Sequence, residues 1–176
     1  MKPVRIAFGY KARSGKDEAA TYLSERMERD GYKKPRHLFF AEPLYGILYH
    51  AQSVAGFPKG KDREFLQWVG TDWGRARDPD VWVKATLRNV GRSESVFITD
   101  VRFPNEAEGV REIDCILVRI DRPDRPDCRD HASETQMDSY TDWDYTIEND
   151  GTLEEFHAKL DKFYDNVVKP LFLDVT

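Results

Sequence analysis

The sequence predicts an α/β fold, a three-layer sandwich built on a mainly parallel sheet, and three observations support this prediction. Short apolar segments with strand character alternate along the chain with segments whose apolar residues recur at helical spacing. A loop that contains glycine and lysine stands between the first such strand and the first such helix. The 176 residues, of which 40% are hydrophobic and 34% charged, suffice for one domain with its own core. We therefore expect a single domain over residues 1–176.

In the first half of the chain, strand-like and helix-like segments follow one another. Residues 4–8 predict a strand, 17–29 a helix and 37–40 a second, short strand. Apolar residues then recur at helical spacing over 44–55 and again over 65–69. This order is typical of strands joined by helical crossovers.

The second half of the chain continues the alternation. Residues 81–90 predict a helix, 96–99 a buried strand, 115–120 another strand, 145–147 a short last strand and 153–168 a closing helix. Ligand sites in parallel α/β sheets lie at the carboxyl ends of the strands. This rule places five residues along one rim: Gly9, Ala41, Asp100, Asp121 and Asn149.

The segment Gly9-Tyr-Lys-Ala-Arg-Ser-Gly-Lys-Asp17 has the character of a phosphate-binding loop. In such a loop the backbone N–H groups point at the anion, and the dipole of the following helix favours negative charge there. Gly15 would let the backbone approach closely, and Lys16 would reach the outer phosphates. Five residues rather than four separate the two glycines, and Asp17 replaces the usual magnesium-binding hydroxyl. Asp17 is either a helix-terminal residue favoured by the dipole or a magnesium ligand, direct or through water.

Asp100 ends an apolar strand on the predicted rim. A carboxylate at this place in a phosphate-loop protein can orient magnesium or its water shell. The alternative is a cap on a helix that starts near Asn105. We favour the magnesium role, and Arg102 could then meet a substrate phosphate.

A proline-rich connection between two strands carries Arg122, Arg125 and Arg129. Arginines on a closing loop stabilise the charge of a transferred phosphoryl group and exclude water. The alternative is a solvated loop whose arginines pair with neighbouring aspartates. The density of arginine favours a lid at about residues 122–135.

Aromatic residues surround an arginine in the segment from Leu66 to Arg75. Such a group suits a planar base and its 5′-phosphate, which makes Gln67 and Arg75 the ligand candidates. We assign Trp68 to the core, because aromatic residues at helical spacing usually pack there.

Composition excludes several other classes of protein. The net charge of −5 disfavours non-specific nucleic-acid binding, although residues 1–99 hold 18 Lys and Arg against 12 Asp and Glu. No apolar run approaches the roughly 20 residues of a membrane span, and no secretion-signal pattern stands at the start, so we expect a cytoplasmic protein. The two cysteines and four histidines show no metal-ligand spacing. Any metal is therefore expected to be Mg²⁺ carried with a nucleotide.

Taken together, these segments resemble the deoxynucleoside monophosphate kinases of tailed bacteriophages, within the P-loop kinase superfamily. The resemblance extends from about residue 4 to 156, and its blocks are Ser14–Asp17, Phe40–Leu44, Gln67, Gly70–Asp72, Arg75, Pro79–Trp82, Thr99–Glu106, His131–Glu134 and Ile147–Thr152. It implies a P-loop kinase fold with an arginine-bearing lid. It also implies transfer of the γ-phosphoryl group from ATP to a deoxynucleoside monophosphate (dNMP), which gives dNDP and ADP.

The resemblance further implies a role for each matching residue. ATP would be bound by Arg13, Ser14, Gly15, Lys16, Asp17, Glu18, Asn149 and Gly151. The acceptor would lie against Phe40, Ala41, Glu42, Leu44, Gln67, Thr71, Arg75, Asp100, Arg102 and Asn105. Lys16 and the lid arginines Arg122, Arg125 and Arg129 would be catalytic, and Asp17 and Asp100 would hold Mg²⁺. Such enzymes are often dimers, and a phage enzyme would work in the host cytoplasm.

Two other functions are compatible with the same motifs. A dephospho-CoA-kinase-like enzyme shares the loop, the lid and the Asn149-Asp-Gly turn, but it needs a carboxylate base near its acceptor, for which Glu42 is the candidate. A regulatory module could bind nucleotide without transferring phosphate. The lid arginines and the separate acceptor region argue against such a module.

Overall fold

The computed structural model describes residues 2–123 and 135–173. Within these ranges five strands form one sheet in the order β2-β3-β1-β4-β5, and every neighbouring pair is parallel. The strands are β1 (Arg5–Gly9), β2 (Arg36–Leu38), β3 (Val96–Val101), β4 (Ile116–Asp121) and β5 (Tyr145–Glu148). The predicted α/β fold with a parallel sheet is confirmed.

Helices connect the strands. They are α1 (Lys16–Arg29), α2 (Glu42–Ala55), α3 (Arg63–Gln67), α4 (Val81–Leu87), α5 (Pro104–Glu112), α6 (Leu153–Phe163) and α7 (Pro170–Leu173). Two π-helices, Trp68–Arg75 and Tyr164–Val168, continue α3 and α6. Each predicted helix is present, and the predicted closing helix consists of α6 and the second π-helix.

The core has two halves, one on each face of the sheet. Alternate residues of β1 divide between them: Ile6 and Phe8 face the half beneath α1 and α6, whereas Ala7 faces the half beneath α4 and α5. All three residues are fully buried, as expected of a central parallel strand with helices on both faces. The structure is therefore a three-layer sandwich.

The carboxyl ends of the strands meet at one edge of the sheet, because all the strands are parallel. Gly9 and Asp121 are the last residues of β1 and β4, and Asn149 directly follows β5. Asp100 lies one residue before the end of β3, and Ala41 lies in the turn between β2 and α2. The predicted rim is confirmed.

The second predicted strand, 37–40, was too long at its carboxyl end. β2 ends at Leu38, and the backbone N–H groups of Phe40 and Ala41 donate to the Asp100 carboxylate instead of a neighbouring strand. The Asp100 side chain thus accepts the backbone hydrogen bonds that a neighbouring strand would otherwise accept.

Within the described residues no helix is long and apolar enough to cross a membrane.

We predict that Gly109→Ala destabilises the protein, because a Cβ on Gly109 would lie 2.3 Å from Cγ1 of the buried Val83. Overpacking of this kind costs about 1–3 kcal/mol of unfolding free energy, measured by urea denaturation. Gly46→Ala in α2 is the matched control, since no atom lies within 4 Å of its added Cβ. Helix propensity should make that variant more stable by roughly 0.5–1 kcal/mol. Equal stabilisation by both substitutions would contradict the packing argument.

Candidate active site

The loop between β1 and α1 has an unusual backbone. Tyr10, Arg13 and Gly15 all have positive φ angles, of 92°, 59° and 103°. At Gly15 a Cβ would also lie 2.8 Å from Nδ2 of Asn149 and 3.3 Å from Cε1 of Phe156. Glycine is therefore required at position 15 both for its backbone conformation and for the close approach of the loop to Asn149.

Asn149 holds this loop in place. Its Nδ2 donates to the carbonyl oxygen of Ser14 (3.0 Å), and its backbone N–H donates to the carbonyl oxygen of Asp121 (2.7 Å). The turn after β5 is thereby tied both to the loop and to the end of β4. Gly151 lies further along this turn, where an added Cβ would be 2.1 Å from Oε2 of Glu155.

The Lys16 ammonium group lies against the loop that precedes it. Its Nζ donates to the carbonyl oxygen of Lys11 and to Oγ of Ser14 (3.4 Å), and the residue is only 6% exposed. The lysine is thus held beside the backbone groups that would surround a phosphate.

A cavity of about 1000 Å³ opens at the carboxyl edge of the sheet. Many of the predicted site residues line it: Arg13, Gly15, Lys16, Asp17, Glu18, Phe40, Ala41, Leu44, Gln67, Thr71, Arg75, Asp100, Arg102 and Arg122. The structure therefore brings the phosphate loop, the turn after β2, the first π-helix and the end of β3 around one space.

Two aspartates, Asp17 and Asp100, line this cavity. Asp17 accepts a hydrogen bond from the hydroxyl of Thr99 at 2.6 Å. Asp100 accepts the backbone N–H groups of Phe40 (2.9 Å) and Ala41 (3.0 Å), one on each oxygen. Burial raises the pKa of Asp100, and these two N–H groups oppose the rise.

Asp100 does not cap the helix that follows it. The backbone N–H groups just before α5 are bound by another residue: those of Arg102 and of the N-cap Phe103 donate to Oε2 of Glu106, at 2.7 and 3.1 Å. The capping alternative for Asp100 is therefore wrong.

Glu106 also pairs with Arg75. Nη2 of Arg75 lies 2.7 Å from Oε1 of Glu106, and the guanidinium lies 4.0 Å from the centre of the Phe103 ring. Glu106 is 2% exposed, and burial raises its pKa to about 7 although Arg75 and the Arg102 N–H lower it. A buried carboxyl thus holds an arginine that lines the cavity.

The first π-helix delivers Arg75 to this position. A Cβ on Gly74 would lie 2.4 Å from the Trp82 ring, and Nε1 of Trp82 donates to the carbonyl oxygen of Gly70 at 2.9 Å. Trp82 is the buried tryptophan of this region, whereas Trp68 is 52% exposed. Placing Trp68 in the core was therefore wrong: α3 gives way to the π-helix at that residue, and Val69, Gly70 and Gly74 become the buried positions.

Some predicted site residues lie apart from the cavity lining. Glu42 is exposed at the start of α2, and Nδ2 of Asn105 donates to the carbonyl oxygen of Pro79 and to Oδ1 of Asp80. Ser14, Asn149 and Gly151 belong to the loop and the turn behind it. Arg125 and Arg129 lie outside the described residues.

Three charged residues of the cavity were missed in the sequence: Lys61, Arg63 and Glu106. Lys61 and Arg63 flank Asp62, whose side chain accepts the backbone N–H of Phe65 as the N-cap of α3. The preceding loop is fixed by two hydrogen bonds between Gln52 and the backbone of Gly60. The sequence contained a signal only for Glu106. A glutamate two residues after a proline is typical of the third position of a helix that begins at the proline, where its side chain can bind the backbone at the start of the helix.

The fold and the site define a phosphotransferase of the P-loop kinase class, with a phosphate loop at the edge of a parallel sheet and a cationic cavity beside it. The profile of the Deoxynucleotide monophosphate kinase family matches residues 60–160. The chain belongs to this family.

Two viral proteins are similar along most of their length. A protein of Acanthamoeba polyphaga mimivirus, assigned as a deoxynucleotide monophosphate kinase, is 30% identical over 178 residues, which cover 87% of this chain and 92% of that protein. The uncharacterised protein ORF77 of Ictalurid herpesvirus 1 (strain Auburn) is 34% identical over 172 residues, covering 92% of this chain and 71% of that protein. Among solved structures, a gluconokinase from Sinorhizobium meliloti 1021 superposes with a TM-score of 0.49 and 12% identity, over 99% of both chains.

We predict that Gly15→Ala weakens ATP binding by about tenfold or more, because the added Cβ must displace Asn149 from the loop and the backbone φ is strained. Isothermal titration calorimetry with an unhydrolysable ATP analogue measures the effect. Gly31→Ala is the matched control: its φ is 85°, but no atom lies within 4 Å of the added Cβ. That variant should lose only about 1 kcal/mol of stability and keep its affinity for nucleotide. Unchanged affinity in folded Gly15→Ala would contradict the role of this contact.

A second prediction concerns pH. Because the pKa of Glu106 is raised from 4.5 to about 7 in the folded protein, the folded state binds a proton between these values and the unfolded state does not. This carboxyl therefore makes the free energy of unfolding fall as pH rises from about 5 to 7. Glu106→Gln should remove that fall, measured by urea denaturation at pH 5 and pH 8. An identical pH dependence in both proteins would contradict the raised pKa.

Proposed function

We propose that this protein transfers the γ-phosphoryl group of ATP to a deoxynucleoside monophosphate and releases dNDP and ADP. The observation that carries the proposal is that one cavity holds two separate cationic groups. Lys16 and Arg13 stand at the phosphate loop, and Arg75 and Arg102 come from the first π-helix and the end of β3. Two phosphate-bearing ligands that meet in one cavity are what a nucleoside monophosphate kinase requires.

Each side of the cavity has a function in this reaction. Lys16 and the loop N–H groups would hold the donor phosphates, and Arg75 and Arg102 would hold the acceptor phosphate in line with them. Arg122, at the end of β4, would add positive charge as the transferred group passes between the nucleotides. The acceptor is already an anion, so alignment and charge neutralisation suffice without a strong base.

Magnesium carried with ATP would neutralise the donor phosphates. Asp17 and Asp100 fit this ion because both carboxylates belong to residues that line the same cavity as Lys16. Among the described residues no cluster of three or more His, Cys, Asp or Glu could hold a metal by itself. Mg²⁺ in nucleotide sites is commonly held by one or two carboxylates together with the nucleotide's own phosphates.

The dephospho-CoA-kinase-like alternative has less support. Its reaction needs a base to deprotonate a hydroxyl, and the candidate, Glu42, is exposed and does not line the cavity.

The assay that tests both functions measures ADP formation from Mg-ATP with each common dNMP and NMP and with dephospho-CoA. Turnover that depends on a dNMP supports the proposed reaction, and turnover with dephospho-CoA alone overturns it.

We predict that Lys16→Ala lowers turnover with the best dNMP by orders of magnitude while the protein stays folded, because charge neutralisation at the donor phosphates is lost. The coupled ADP assay gives the rate, and circular dichroism verifies the fold. Lys84→Ala is the control: this lysine pairs with Asp78 on the surface and does not line the cavity. Near-normal turnover in folded Lys16→Ala would refute the mechanism.

A further inference from the structure

We propose that Glu106 is a positioning residue of the acceptor site, which acts by fixing the Arg75 guanidinium and the turn that carries Arg102. This inference rests on the proposed function, since it takes these two arginines as the binding groups for the acceptor phosphate. Glu106 itself need not contact the nucleotide.

The geometry around Glu106 joins separate parts of the chain. Its Oε1 binds the end of the first π-helix through Arg75 (2.7 Å), and its Oε2 binds the backbone N–H groups of Arg102 (2.7 Å) and Phe103 (3.1 Å). One carboxylate therefore sets the distance between the two elements that supply the arginines. The Phe103 ring, 4.0 Å from the guanidinium, limits the movement of Arg75 from a second direction.

Arg75 needs such support because long cationic side chains lose considerable conformational entropy when they bind. An arginine already held in place by an ion pair and a ring loses less when the acceptor phosphate arrives. The ion pair and the ring occupy one nitrogen and one face of the guanidinium, and the residue still lines the cavity. Its remaining donors can serve a phosphate.

The stability cost of Glu106 also supports a role beyond folding. Burial raises the pKa of this carboxyl to about 7, so its anion is less favourable in the folded protein than in water. A cap for α5 requires only the bond from the Phe103 N–H, which an exposed side chain could accept at no such cost. The pairing with Arg75 is the additional feature that a cap does not explain.

The test is a double-mutant cycle on the KM for a dNMP, assayed at pH 8 so that Glu106 is ionised. Glu106→Gln keeps the shape and an acceptor oxygen but removes the charge that holds Arg75. It should raise the KM for the dNMP about tenfold and leave the KM for ATP within about twofold, and Arg75→Ala should do the same or more. Because the glutamine oxygen can still accept the N–H groups of the turn, Glu106→Gln acts through Arg75, and the double variant should be no worse than Arg75→Ala alone.

Glu94→Gln is the matched control. Glu94 likewise pairs with an arginine, Arg36 (2.8 Å), and accepts a backbone N–H, from Gly91 (2.9 Å), but it does not line the cavity. Its substitution should leave both KM values unchanged. An effect of Glu106→Gln on KM for ATP equal to its effect on KM for dNMP would indicate a general structural role and overturn the inference. So would additive effects in the double variant, or an unchanged KM for dNMP.

If Glu106→Gln does not fold, the Arg75→Ala protein provides the test through its pH profile. The charged groups that act on Glu106 are Arg75 from the π-helix and Asp100 from β3, and Arg102 contributes its backbone N–H. In the wild type the KM for dNMP should fall as pH rises through about 7, because ionised Glu106 then holds Arg75. In Arg75→Ala this fall in KM should be absent. A profile shared by both proteins would overturn the inference, because ionisation of the dNMP itself is common to both.

Calorimetric titration of the same proteins with dNMP separates this inference from the proposed function. A wild type that binds dNMP without forming ADP would refute the proposed reaction. The double-mutant cycle could then still test the role of Glu106, with dissociation constants for dNMP in place of KM values. A wild type that neither binds nor phosphorylates any dNMP would overturn both.

Discussion

The cavity depends on two carboxylates, the half-buried Asp100 and the buried Glu106, that hold irregular backbone at the carboxyl edge of the sheet. Asp100 accepts the N–H groups of Phe40 and Ala41, and Glu106 accepts those of Arg102 and Phe103. A strand that ends at a site leaves backbone donors without a ladder partner, and buried donors without partners are costly. Side-chain oxygens satisfy them here, so the turns after β2 and β3 can surround a ligand instead of extending the sheet.

This arrangement explains the charges of the cavity. Seven cationic side chains line it: Arg13, Lys16, Lys61, Arg63, Arg75, Arg102 and Arg122. Cations at such density repel each other, and four carboxylates, Asp17, Glu18, Asp100 and Glu106, share the space with them. The carboxylates do more than balance charge, because Asp17 binds a hydroxyl on β3 and Glu106 fixes an arginine. The remaining excess of positive charge suits ligands as anionic as two nucleotides.

The sequence predicted the framework well because its signals are local. Apolar periodicity placed the five strands and most of the helices, although not α5 and α7, and the position of glycine and lysine after β1 located the phosphate loop. Long-range contacts had no such signal. The partners of Asp100 and Glu106 include residues of other elements, and the loop that leads to Lys61 and Arg63 is held by hydrogen bonds between Gln52 and Gly60. Trp68 was misplaced because a π-helix has a different period from the α-helix that the spacing implied.

The bonds of Asp100 also constrain how it would act on magnesium. A carboxylate offers about four acceptor positions, and the N–H groups of Phe40 and Ala41 occupy one on each oxygen of Asp100. Direct coordination can use only the remaining positions, because an ion that turned the carboxylate away from these N–H groups would leave both donors unsatisfied. Asp17 is less constrained, since one hydroxyl binds one of its oxygens. We therefore expect Asp17 to lie nearer to the ion and Asp100 to orient its water shell, because Mg²⁺ gives up its waters reluctantly. In that arrangement Asp100 can keep its hydrogen bonds to the turn after β2 and at the same time orient the magnesium ion that neutralises the donor phosphates.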